Sequence, residues 1–224
     1  MNEASKTRAQ WGALELGILQ GKGIDIGCGP DPVTPDVRPF DLEHGDANVI
    51  SRHVADTFDF VFSAHCLEHM HSPSAALREW WKLVRPGGYL FFIVPEENLF
   101  EQQMWPSVFN SDHKATFTTS RDASWSPVSI NIFALVAELP GAELLDVRVH
   151  DDGYDRTCLL NRPGARFRTR VLFSIRWRLV ALLRRVGIRA RLLWIAHVFR
   201  VPIDQTVSGA LAQIQVIVRK SAAG

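Results

Sequence analysis

The 224-residue chain is 46% hydrophobic and 22% charged, which reads as an ordinary soluble globular protein; its net charge of +1 is uninformative as a total. Cys28, Cys66 and Cys158 are scattered and form no C-x-x-C pair, so neither a disulfide framework nor a zinc knuckle is indicated. The opening MNEASKTRAQ has no apolar core, and the apolar run Leu192 to Phe199 falls far short of the ~20 residues that span a bilayer, so a cytoplasmic setting is expected.

A chain of this size suits a single domain, 1–224. Trp11, Leu14, Ile18 and Leu19 recur at helical spacing and predict a lead-in helix over residues ~5–20. Gly23-Ile24-Asp25-Ile26 reads as a short strand that runs into a glycine turn. Val37 to Leu42 is the second strand candidate, after a link holding Pro30, Pro32 and Pro35. Phe58 to Ser63 is a continuous apolar run, the mark of a strand covered on both faces. Ser72-Pro73 then supplies an N-cap and a first-turn proline. Leu77, Trp80, Trp81 and Val84 make the apolar face of that helix, and Pro86-Gly87-Gly88 stops it. Tyr89 to Val94 is another buried strand, completing a βαβ unit. Ser129 is placed to cap a helix through Leu139, an alternating strand follows at Leu145, Val147 and Val149, and Ala212 to Val218 closes the chain. This alternation predicts an α/β fold with an open, mostly parallel sheet whose ligands sit beyond the carboxyl ends of the strands.

The glycine turn, Gly27-Cys28-Gly29-Pro30-Asp31-Pro32, limits what that ligand is. A dinucleotide needs G-x-G-x-x-G, with a third glycine letting a helix N-terminus meet the pyrophosphate. Pro32 stands there instead, and Asp25 and Asp31 repel a diphosphate. No Gly-Lys-Ser/Thr follows, which excludes a P-loop. The turn suits a ligand close to the backbone that lacks phosphates and offers a cation to Asp25. S-adenosylmethionine has these properties, with Asp41 placed after the second strand to take the ribose hydroxyls.

Asp25-Ile26-Gly27-Cys28-Gly29, Gly45-Asp46-Ala47, Phe58 to Ser63 with Leu67-Glu68-His69, and Leu83-Val84-Arg85-Pro86-Gly87-Gly88-Tyr89-Leu90 follow one another over residues ~23–98. Together they resemble the successive motifs of the class I S-adenosylmethionine-dependent methyltransferases. The resemblance implies a Rossmann-like doubly wound sheet with an antiparallel last strand. It implies that Asp25, Gly27, Cys28 and Gly29 line the methionine part and that Asp41 holds the ribose. It further implies that Asp46 and Ala47 flank the adenine and that Ser63 with His65 closes the sulfonium side. One departure stands out: the family usually has a full helix between the glycine turn and the ribose acid. Pro30, Pro32, Pro35 and Pro39 predict a loop here, which leaves Glu43 as a rival to Asp41.

Methyl transfer is an in-line displacement in which the protein positions the reactants and, for a hydroxyl acceptor, supplies a base. His69, after the third strand, and His113, in a long loop after the fourth, are the candidates, with Asp112 as an orienting partner; each is equally readable as a hydrogen-bonded loop residue. His65-Cys66-Leu67-Glu68-His69 also matches H-x-x-E-H, a zinc-protease pattern, but that needs a helix where only a few residues separate a strand from Ser72-Pro73. No metal ligand set is expected. The wording of the middle region is similar to bacterial polysaccharide- and sugar-modifying methyltransferase modules, which implies a sugar or glycan hydroxyl as acceptor. Trp105 or Trp125 is available to stack on a sugar face, whereas Trp80 and Trp81 read as core. Another small molecule, RNA or protein stays open as acceptor, as does a non-catalytic binding scaffold.

From Asn161 to Arg200 the chain carries eleven arginines and no acid. Val171, Leu172, Ile175, Leu179, Leu182, Leu183 and Val186 share one helical arc, with arginines off it. A basic helical insertion over 156–205 is therefore expected before the last strand. Its apolar arc is open to packing on the sheet or a second subunit in a homodimer, or to docking 166–200 on an anionic membrane surface at the inner face. A nucleic-acid partner lacks any accompanying recognition motif.

Overall fold

The computed structural model describes residues 3–156, residue 159 and residues 202–222. In chain order these form helices α1 (Glu3–Arg8) and α2 (Ala13–Ile18) and strands β1 (Gly23–Ile26), β2 (Arg38–Phe40) and β3 (Phe58–Ala64). Helix α3 (Pro73–Lys82), strands β4 (Val84–Pro95), β5 (Thr116–Thr118) and β6 (Ser129–Asn131), helix α4 (Ile132–Ala137), and strands β7 (Ala142–His150) and β8 (Gln213–Lys220) follow. Six strands make one sheet in the order β2-β1-β3-β4-β8-β7, with β1 to β4 mutually parallel and β8 antiparallel to both its neighbours. The Rossmann-like sheet with an antiparallel last strand is thus as expected. β5 and β6 form a separate parallel pair.

The unbroken apolar sequence of β3 and β4 follows from their position at the centre, with both faces covered. One face sets Val61, Leu90 and Phe92 against Leu77, Trp80 and Trp81 of α3. The other sets Phe60, Phe62, Phe91 and Ile93 against Trp11, between the two N-terminal helices, and Ile18 of α2. Each fully buried phenylalanine contributes about 2 kcal/mol of transfer free energy. Both indoles of α3 are core, as expected, and their N–H groups are satisfied: Trp80 Nε1 donates to the Ala47 carbonyl and Trp81 Nε1 to that of Pro140.

Several boundaries differ from the sequence reading. The lead-in helix is broken in two, because Trp11 turns inward to donate to Gln215 at 3.0 Å while Glu15 caps the Gly12 amide at the start of α2. Ser72 occupies the N-cap of α3 but its side chain caps nothing; Pro73 at the first turn sets the start. α4 is capped by Asn131, which accepts from Phe133 N and Ala134 N, while Ser129 lies in β6. β4 begins at Val84, five residues before the expected Tyr89. The proline-rich link forms no helix, as expected: its amides bond locally, Asp31 N to Cys28 O and Val37 N to Thr34 O. Most of the expected basic insertion, 156–205, lies outside the described residues. Among those described, no helix is long and apolar enough to cross a membrane.

Candidate active site

The carboxyl ends of β1 and β3 open onto a cleft of about 200 Å³ lined by Asp25, Gly27, Gly29, His65, Glu68 and His113 among others. A second, shallower depression of about 350 Å³ continues from Cys28 and Gly29 over Asp41 and Glu43. The two meet across the glycine turn.

The turn has its shape because both glycines take positive φ, 76° at Gly27 and 52° at Gly29. Gly27 N donates to Phe40 O at 2.7 Å, fastening the turn to β2. A Cβ on Gly27 would lie 2.7 Å from the Cys66 side chain; one on Gly29 would meet nothing within 4 Å. Gly29 therefore leaves an open cradle at the junction of the two depressions.

Asp25 is 1% exposed. Its Oδ2 accepts from Val33 N at 2.7 Å, so it also anchors the proline-rich link, whereas Oδ1 has no hydrogen-bond partner. Burial pushes its carboxyl up to about 7; the Val33 bond opposes this, and the nearby Asp31 and Asp41 add to it. A buried carboxylate oxygen without a donor, facing a cleft, suits a ligand ammonium. With the Gly29 cradle, the residues present fit S-adenosylmethionine.

Asp41 follows β2 directly and holds the turn from the far side, its Oδ2 accepting from Gly29 N and its Oδ1 from Leu42 N, both at 2.8 Å. Glu43 lines the same depression with an exposed side chain. Cys28 lines both lobes, and burial raises its thiol above the usual range, with Asp25 adding to the effect.

Three expected cofactor residues stand elsewhere. Ser63 is buried and donates its hydroxyl to Ile26 O at 2.9 Å, so it stitches β1 to β3 and does not face the cleft. Asp46 caps the short turn Ala47–Arg52 through Asn48, and Ala47 offers its carbonyl to Trp80; neither lines either depression. Trp105 and Trp125 are also outside both, with Trp125 Nε1 donating to Asn98.

His65 lines the cleft in a left-handed conformation, φ 52°. Its Nε2 is 2.9 Å from Gln213 Oε1 and its Nδ1 is 3.4 Å from Glu68 Oε1. The next turn, Leu67–His69, is one 3-10 turn and not the helix that a zinc-protease pattern requires. It carries His69 to the cleft, with Nδ1 2.9 Å from Asp112 Oδ2. His113 meets it from the opposite loop, the two rings 5.1 Å apart, and its own Nδ1 is 2.6 Å from Glu101 Oε1. Lys114 ties the loops together: its amide donates to Glu68 O, and Nζ reaches His69 O and the Asp112 carboxylate. The three residues expected to act on the acceptor are thus brought together.

Glu68 and Glu101, both 1% exposed, complete this end and were not expected there. Burial works to raise the Glu68 carboxyl, but His65, His113 and His69 outweigh it and hold the group below the usual range. The adjacency of Glu68 to His69 was a visible signal. Glu101 had none, because it reaches His113 only through the π-helical turn Glu97–Glu101.

A family model described as a methyltransferase domain matches residues 6–125. The chain is 30% identical over 102 residues to the ubiquinone biosynthesis O-methyltransferase of Pseudomonas fluorescens, a stretch covering 42% of this chain and 40% of that relative's length. Among solved structures it is similar to an S-adenosylmethionine-dependent methyltransferase of Mesorhizobium loti (12% identity, 98% of each chain, TM-score 0.44). It is also similar to one of Methanosarcina mazei (10% identity, 94% of this chain and 98% of that one, TM-score 0.45).

Proposed function

Since the chain belongs to the S-adenosylmethionine-dependent class I methyltransferases, we propose that it methylates an acceptor hydroxyl positioned between His69 and His113. When bound, the cofactor supplies an electrophilic methyl group. Asp25 Oδ1 is the group for its ammonium, the Gly27–Gly29 turn brings backbone close beside it, and Asp41 lies where a ribose would extend. His65 stands at the junction with the acceptor end.

The observation that carries the choice of oxygen is the pair of imidazoles, each with Nδ1 beside a carboxylate. A neutral amine needs no base to attack a methyl group, whereas a hydroxyl must lose its proton. A carboxylate at Nδ1 fixes the tautomer, so Nε2 is the nitrogen left to face the acceptor. The acceptor class we carry forward is a sugar or glycan hydroxyl. Asn110, His69 and His113 at this end offer hydrogen bonds, and Phe100, its ring 5.1 Å from that of His113, offers an apolar face. A small molecule other than a sugar, probed with phenols, is the second reading; the matched relative is by name a ubiquinone biosynthesis O-methyltransferase.

The test is release of S-adenosylhomocysteine by the full chain with panels of sugars, oligosaccharides and phenols. Turnover confined to phenols overturns the sugar reading; turnover with amines alone overturns the choice of oxygen.

A further inference from the structure

The acceptor end of the cleft gathers more ligating power than proton transfer requires. Glu68, His69 and His113 each present a ligand atom, all within 4.8 Å of one another. Glu68 is buried, and neither carboxylate oxygen has a hydrogen-bond partner. Buried charges are paired, hydrogen-bonded or metal-bound, because stripping a carboxylate of water is otherwise too costly. His65 Nδ1, 3.4 Å from Oε1, is within ion-pair reach but too far for a good hydrogen bond.

The two histidines add an independent feature. Imidazoles that ligate a metal almost always direct their other ring nitrogen at a carboxylate or carbonyl, which sets the tautomer and makes the ligand more basic. His113 does so to Glu101 at 2.6 Å; His69 Nδ1 stands 2.9 Å from Asp112 Oδ2, within ion-pair reach but without the alignment of a hydrogen bond. Both carboxylates come from outside the ligand trio, and Lys114 steadies Asp112 from its solvent side.

We propose that Glu68, His69 and His113 bind one divalent transition-metal ion, with a coordination position left open toward the cleft for an oxygen of the acceptor. Two imidazoles and a carboxylate are the donors of catalytic zinc sites that keep a fourth position free, and of non-haem iron sites. Magnesium and calcium prefer all-oxygen shells, so the imidazoles argue against them. Metal–ligand bonds of about 2.0–2.2 Å hold tetrahedral donors roughly 3.4 Å apart, so binding draws the trio together by about an ångström. The role toward the acceptor rests on the methyltransferase reading, but the site itself does not. With the ion in place, both histidines would be ligands and no longer bases; the metal would acidify the hydroxyl, whose proton would pass to water in the open cleft.

The full chain, stripped with chelator, is titrated with Zn²⁺ and separately with Co²⁺, competing against a chromophoric chelator and reading the visible Co²⁺ spectrum. One equivalent bound at micromolar affinity or tighter is expected, with a ligand-field band. His69→Ala removes both signals. Asp112→Asn, at a side chain that is 68% exposed, weakens binding about 10- to 100-fold, with the circular dichroism spectrum as the folding control. No stoichiometric binding by the wild type, or binding unchanged in His69→Ala, overturns the proposal. Calorimetry with S-adenosylmethionine on the same samples separates the two claims: cofactor binding without metal binding sinks the metal site alone, and metal binding without cofactor binding sinks the methyltransferase reading alone.

Discussion

His113 Nδ1 lies 2.6 Å from Glu101 Oε1, with both side chains almost wholly buried. Glu101 touches no substrate position; it acts through the histidine, as a positioning residue. Glu101→Gln is expected to lower kcat about 10- to 100-fold while changing the KM for S-adenosylmethionine less than about twofold. Steady-state kinetics with the circular dichroism spectrum as a folding control make the measurement. An equal effect on both constants would mean that the residue merely supports the fold.

Asp25 makes cofactor binding pH-dependent. Its pKa of about 7 stands above the ordinary 3.8, so the neutral acid is favoured in the free folded protein. That contribution to stability is complete below about pH 4 and is lost as pH rises through about 7. A bound cation favours the carboxylate instead. Affinity is therefore expected to fall about tenfold per pH unit below about 7, with proton release on binding near pH 6. Calorimetry in buffers of different ionisation enthalpy measures both. Asp25→Asn should flatten the profile, and without ligand it should be more stable than wild type near pH 8.

The two turn glycines separate stability from binding. Gly27→Ala combines a positive φ with a contact 2.7 Å from Cys66, for an expected loss of about 2–4 kcal/mol and of roughly 5–15 °C in Tm. Gly29→Ala meets open space, so it should cost only about 1 kcal/mol. Its methyl group projects into the cradle and should weaken cofactor binding about tenfold, or 1.4 kcal/mol. Thermal melts and cofactor titrations of the two variants give opposite rankings.

Glu97 ties β5, β6 and the segment between them together. Buried beneath them, it accepts hydroxyl bonds from Thr116 at 3.0 Å, Ser124 at 2.7 Å and Ser129 at 2.6 Å. Glu97→Ala leaves three hydroxyls without their acceptor and is expected to cost about 3 kcal/mol, lowering Tm by roughly 6–12 °C. Calorimetric melting checks it.

The central strands were legible because a strand covered on both faces must be apolar throughout, and Phe58 to Ala64 carries only Asp59 and Ser63 against that rule. The glycine turn was legible because positive φ demands glycine. The proline-rich link followed from missing amide donors. The split between α1 and α2 was not, since Trp11 obeys helical periodicity and leaves it only to reach Gln215, 204 positions away. Ser63 misled because its place at the end of a strand says nothing of which face its hydroxyl takes. Gln213 lines the cleft and Glu101 backs His113 through tertiary contacts alone, and no local pattern marks either.

Strand β8 lies between β4 and β7, so Tyr89 in the middle of the sheet pairs with Arg219. Its Gln213 also joins Thr7 of the first helix to His65 of the cleft. The cleft wall is thus assembled from residues 206 positions apart, a contact of high sequence separation and correspondingly large loop-closure entropy. A ribosome-bound chain that has emerged through the glycine turn, His69 and His113 still lacks Gln213, so this wall closes only after β8 has been made.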